Sequence, residues 1–170
     1  MKIKTILALL TILLITFIIY IINIDRKIYI LSLGNSNIYE IPSYIDKLSS
    51  SLEEKNLLEE NINVTCNLNQ IVENIKTNKK IQGKNMKNHL IKADIIIVTV
   101  TSNKENLNEL IDIIKKYSKE KIVIIGQLTQ DNIKISKKYE IELINIDLKQ
   151  NQNEMIYANL INTIKEVYNL

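Results

Sequence analysis

Two rhythms of apolar and polar positions run along this chain. Ile28-Tyr29-Ile30-Leu31, Ile95-Ile96-Ile97-Val98 and Ile122-Val123-Ile124-Ile125 are unbroken apolar runs rich in β-branched residues. Short runs of that kind predict strands buried on both faces, as in a parallel sheet. Ile62-Asn63-Val64-Thr65 and Ile141–Ile146 predict two more strands. Between these runs the apolar residues recur at helical spacing. Leu68, Ile71, Val72 and Ile75 fall at i, i+3, i+4 and i+7, and so do Leu107, Leu110, Ile111 and Ile114.

Further helices are expected from near Pro42, with Ile45, Leu48 and Leu52 inward, around Asn132–Tyr139, and from Glu154, with Tyr157, Leu160, Ile161 and Ile164 inward. Proline suits the first turn of a helix. The polar stretch Thr77–Lys87, with Gly83, predicts a loop leading to a short helix through Leu90 and Ile91. Five strands separated by helices imply a three-layer α/β/α domain, a five-stranded parallel sheet of flavodoxin-like type with right-handed crossovers.

The N-terminus follows neither rhythm. Thr5 to Ile24 holds no charged residue, with Lys2 and Lys4 before it and Asp25-Arg26-Lys27 after it. Twenty residues at about 1.5 Å rise span a bilayer of about 30 Å. No pair of small residues marks a cleavage site, so an uncleaved transmembrane anchor over residues 1–26 is expected, followed by one domain over 27–170. The positive N-terminus places that domain outside the cell membrane.

Charge and cysteine count narrow the functions. Lys2 and Lys4 aside, 20 basic residues face 19 acidic ones from Asp25 onward. The lysines are interleaved with acids and read as solvated helix faces, so a nucleic-acid partner is not expected. Cys66 is the sole cysteine and His89 the sole histidine. No intramolecular disulfide or multi-cysteine metal site can form, and no metal or cofactor is expected.

Ligands of open parallel sheets bind beyond the carboxyl ends of the strands. That rule brings Gly34, Asn35, Ser36, Asn37, Cys66, Asn67, Thr101, Ser102 and Asn103 to one rim. Within it, Ile30-Leu31-Ser32-Leu33-Gly34-Asn35-Ser36-Asn37 resembles the first block of the SGNH (GDSL-type) hydrolases, an apolar strand running into Gly-Asp-Ser-Leu. Ser36 takes the nucleophile position, and Asn35 stands for the usual Asp. Tyr44–Leu58 and Ile71–Lys92 are similar to stretches of membrane-linked members in low-GC Gram-positive bacteria. Asn103 matches the oxyanion-hole Asn, while Thr101 replaces a Gly and Lys104 an Asp. Asn153–Ile161 is similar to the helix after the family's Asp-x-x-His block. Depending on register, Leu148 and Asn151, or Asp147 and Gln150, fill those two positions.

The resemblance therefore implies a hydrolase scaffold without its catalytic histidine. A serine hydroxyl needs a base to become a useful nucleophile. The expected function is a membrane-anchored pseudo-hydrolase that binds an envelope ligand or protein partner. Two alternatives stand beside it. One is an active esterase or deacetylase on envelope glycans or lipids, with Ser36 attacking and Asn103 holding the oxyanion. The other is an envelope protein–protein interaction module. His89, before the third strand, is expected to be structural.

Overall fold

A computed structural model of the chain describes residues 9–17, 27–34, 44–100, 106–146 and 153–168. After helix α1 (residues 9–17) come β1 (Ile28–Gly34), α2 (Tyr44–Glu54), β2 (Leu58–Val64) and α3 (Leu68–Lys76). A small hairpin, β3 (Lys80–Ile81) and β4 (Lys84–Asn85), leads directly into α4 (Met86–Lys92). The chain continues through β5 (Ile95–Thr99), α5 (Leu107–Tyr117), β6 (Lys121–Gly126), α6 (Gln130–Tyr139), β7 (Glu142–Asn145) and α7 (Asn153–Tyr168).

The five long strands form one parallel sheet in the order β2-β1-β5-β6-β7. Side-chain alternation explains why the central strands are apolar throughout. Tyr29, Leu31, Leu33, Ile96, Val98, Ile122 and Ile124 point to one face, where α3, α4 and α5 bury Leu68, Ile71, Leu90, Leu110 and Ile114. Ile28, Ile30, Ile95, Ile97, Val123 and Ile125 point to the other, under Ile45 and Leu48 of α2 and Ile156, Leu160 and Ile164 of α7. Each fully buried aliphatic side chain contributes about 1.5–3 kcal/mol relative to exposure.

Local signals fix the helix starts. Asn67 Oδ1 accepts from Gln70 N, Asn106 Oδ1 from Glu109 N and Thr129 Oγ1 from Asn132 N. Each satisfies a backbone N–H that the first turn leaves open.

Three sequence expectations change. The second strand begins at Leu58 rather than Ile62, because an edge strand tolerates polar residues such as Glu59, Glu60 and Asn61. The stretch read as a loop holds the β3–β4 hairpin, turned by Gln82 and Gly83 with φ of 46° and 82°. Two positive φ values are what a two-residue hairpin turn demands. Finally, the membrane anchor and the extracytoplasmic placement are corrected. Among the described residues no helix is long and apolar enough to cross a membrane. Residues 9–17 are helical, and the rest of the apolar stretch 5–24 lies outside the described residues.

Candidate functional site at the carboxyl edge of the sheet

The chain leaves β1 toward β2 on one side and later returns to β5 on the other. The strand order thus reverses between β1 and β5, and an open sheet has its natural crevice there. Gly34 and Thr99 end these two strands and face each other across the ladder. Gly34 has φ of +113°, and a Cβ built on it would stand 2.2 Å from the Thr99 carbonyl oxygen. Glycine is required at this position by backbone packing alone.

On the α2/α7 side of this junction Tyr44, the first residue of α2, shares a hydrogen bond of 2.5 Å with Thr99 Oγ1. Both groups are buried. Ser32, two residues before Gly34, faces the same side by alternation. The residue is 2 % exposed, and its buried hydroxyl has no hydrogen-bond partner among the described residues. The junction is thus lined by neutral hydroxyl groups.

The other expected rim residues divide into two groups. Asn67 is committed to capping α3, with φ of −67° in extended backbone. Cys66 is half-buried against the core, and burial pushes its thiol up from its ordinary range, away from the reactive thiolate. Asn35, Ser36, Asn37, Thr101, Ser102, Asn103 and Asp147 lie outside the described residues. The strand ends that precede Asn35 and Thr101, Gly34 and Thr99, do stand paired side by side. Among the described residues no three His, Cys, Asp or Glu side chains gather as metal ligands.

The sequence also concealed a second polar cluster, at the amino half of β1. His89 is fully buried. Its Nε2 lies 2.8 Å from the Ile81 carbonyl oxygen, which can only accept, so Nε2 carries the proton. Nδ1 then accepts from the Tyr29 hydroxyl at 2.6 Å. Tyr29 is also sealed, with Lys92 and Lys84 over its ring at 4.9 and 5.7 Å. Burial first, then the charges of Glu60 and Glu59, push its phenol up from 10.0 to about 12. Lys84 pairs with Glu60 at 2.6 Å and Lys92 with Glu59 at 2.5 Å. Lys84, bonded to Glu60, holds that carboxyl below its usual range. The cluster has the members of an acid–base relay, but no substrate can reach it. It joins the hairpin to the core.

A surface cleft of about 580 Å³ opens at the opposite, amino end of β6, lined by Lys115, Lys121, Tyr139 and Ile141 among others. Lys115 Nζ there donates to Tyr139 O at 3.0 Å, satisfying the end of α6. That lysine has a structural task, and no nucleophile and base pair there.

Comparison with known proteins leaves sequence families silent and is informative about fold. No family model matches the chain, and no curated protein matches it. A solved structure of similar architecture is the response regulator domain of Thermotoga maritima CheB. The TM-score is 0.50 at 11 % identity, covering 85 % of this chain and 98 % of that one. At such identity the likeness shows the fold alone: a three-layer, flavodoxin-like α/β domain. The SGNH resemblance is overturned, and the pseudo-hydrolase and envelope-hydrolase functions fall with it. The physical reason lies in Gly34. An apolar run ending in Gly-Asn-Ser looked like a nucleophile block, but the glycine is there because the Thr99 carbonyl occupies the place of its Cβ.

Proposed function

We propose that residues 27–170 form a receiver-like docking domain that acts through protein partners rather than by making or breaking bonds. One observation carries this reading. At the β1/β5 junction, where this architecture would place chemistry, the described strand ends present only neutral groups: Gly34, Thr99, Tyr44 and the orphan Ser32 hydroxyl. General acid–base or nucleophilic work needs a titratable partner within hydrogen-bond reach, and none of the described strand ends Gly34, Thr99, Gly126 and Asn145 supplies one. The solved structure of similar fold is a response regulator domain, and receiver-like domains interact with protein partners. In this reading Ser36 and Asn103 are hydrogen-bonding loop residues, not nucleophile and oxyanion donor.

The fold likeness also favours a second reading, phosphorylation-based signalling. An acyl-phosphate formed at the sheet edge would need a carboxylate there. Gly34, Thr99, Gly126 and Asn145, which end four of the strands, include none.

Both chemistries are tested together. The full chain is incubated with a small acyl-phosphate donor and magnesium, and separately with a fluorophosphonate probe. Intact-mass analysis is expected to show unmodified protein in both. A phosphoryl adduct on a carboxylate would replace docking with phosphorelay chemistry, and a labelled Ser36 would restore a serine nucleophile.

A further inference from the structure

Charge is not spread evenly once the fold is known. Residues 76–92 contain six lysines (76, 79, 80, 84, 87 and 92) and no acid. The remainder from Asp25 onward carries 14 basic residues against 19 acidic ones. The segment comprises the end of α3, the β3–β4 hairpin and α4. Three of its lysines are neutralised from neighbouring elements: Lys84 by Glu60, Lys92 by Glu59 and Lys76 by Glu109. Lys79 and Lys80 are exposed, and Lys87 lies half-buried with its ammonium 5.5 Å from the Tyr117 ring centre.

These three are held close together. Lys79 O accepts from Met86 N at 2.9 Å, and Asn78 Oδ1 accepts from Lys87 N at 3.2 Å. One helical turn beyond Lys87, Ile91 on α4 is 63 % exposed. A hairpin with two residues per strand is too short to persist alone. The fold nevertheless fixes it, through the bond from buried His89 to Ile81 O. A polar hairpin held rigid by a core histidine has the character of a preorganised recognition element.

Building on the docking reading above, we propose that the hairpin–α4 surface, centred on Lys79, Lys80, Lys87 and Ile91, binds an acidic segment of a partner protein that bears an apolar residue. The lysines meet its carboxylates, and Ile91 meets the apolar side chain. A central apolar contact within a polar rim is the usual anatomy of a protein interface. Glu59, Glu60 and Glu109 border the patch. They disfavour a continuous phosphate backbone or an anionic bilayer, which need an extended basic stripe, whereas a short peptide fits between them.

The test uses the full chain and a short fluorescent peptide of alternating Glu and Leu, followed by anisotropy at low and physiological salt. A single-stranded oligonucleotide and phosphatidylserine vesicles serve as competing probes. The Glu-Leu peptide is expected to bind, more weakly as salt rises, and a Gln-Leu peptide is not. The triple variant K79E/K80E/K87E is expected to lose affinity by about tenfold or more, and Ile91→Ser to lose several-fold with an unchanged salt slope. Far-UV dichroism and urea midpoints of the variants confirm that they fold.

Failure to bind the acidic peptide, or tighter binding to the oligonucleotide or vesicles, would overturn the proposal. Binding that is indifferent to the triple variant would overturn this surface while leaving a docking function intact. Loss of the docking reading itself would show instead as covalent modification in the mass assay.

Discussion

Replacing Gly34 with alanine is expected to cost about 4 kcal/mol, enough to leave much of a small domain unfolded. Two separate penalties act at this position. The backbone holds φ of +113°, a region that an L side chain rarely enters. The added methyl would also meet Thr99 O at 2.2 Å and Thr99 C at 3.1 Å. Those are backbone atoms of the central strand. Thr99 cannot retreat, because β5 is paired along its length with both β1 and β6. Gly83→Ala is the matched control: φ there is +82°, but nothing lies within 4 Å of the new methyl, so a loss of about 1 kcal/mol is expected. Urea unfolding followed by far-UV dichroism measures both. A Gly34→Ala protein as stable as the parent would show that the β1/β5 junction is not packed as described.

The second large effect is expected at His89. His89→Leu keeps the bulk but leaves the Tyr29 hydroxyl and the Ile81 carbonyl without their partner. One buried and one part-buried polar group stripped of a bond cost about 2–4 kcal/mol together. Amide exchange should quicken through Ile81–Asn85, since the histidine is what fastens the hairpin. Tyr29→Phe should cost less, because it orphans only Nδ1, and the double variant should cost less than the sum of the two.

Tyr29 adds a signature in pH. Its folded phenol is pushed up to about 12, from 10.0 in the open chain, chiefly by burial and next by Glu60 and Glu59. The folded state then keeps a proton that the unfolded state gives up, so this contribution is complete below pH 10 and is lost as pH climbs toward 12. The difference between parent and Tyr29→Phe isolates the effect from the titrating lysines. An equal alkaline slope in both would place the hydroxyl in water.

The layered fold was legible in the sequence because burial on both faces writes itself as unbroken runs such as Ile95–Val98. Helices with a single inner face write themselves as the spacing of Leu107, Leu110, Ile111 and Ile114. What stayed hidden has physical causes too. Strands of two residues, such as Lys80–Ile81, are shorter than any period that could announce them, and only Gly83 marked the turn. Glu59 and Glu60 follow Leu58 at the start of an edge strand, where polar residues are tolerated. Tyr44 and Thr99 are 55 residues apart, and Tyr29 and His89 are 60 apart. No spacing rule joins such pairs.

The site was legible only as a region. Gly34 belongs to the predicted rim, but it serves a backbone approach that a motif of one glycine and one serine cannot distinguish from a nucleophile turn. The six lysines of residues 76–92 were in plain view, yet they read as ordinary solvated faces. Their meaning depends on which of them Glu59, Glu60 and Glu109 neutralise, and that is a property of the folded sheet.

Where the molecule meets its partner can be mapped amide by amide. In an isotope-labelled sample titrated with the Glu-Leu peptide, resonance shifts should gather on Lys79–Lys87 and Ile91 while Gly34, Thr99 and Gly126 stay still. Shifts centred on those three strand ends, with the hairpin unmoved, would contradict the account.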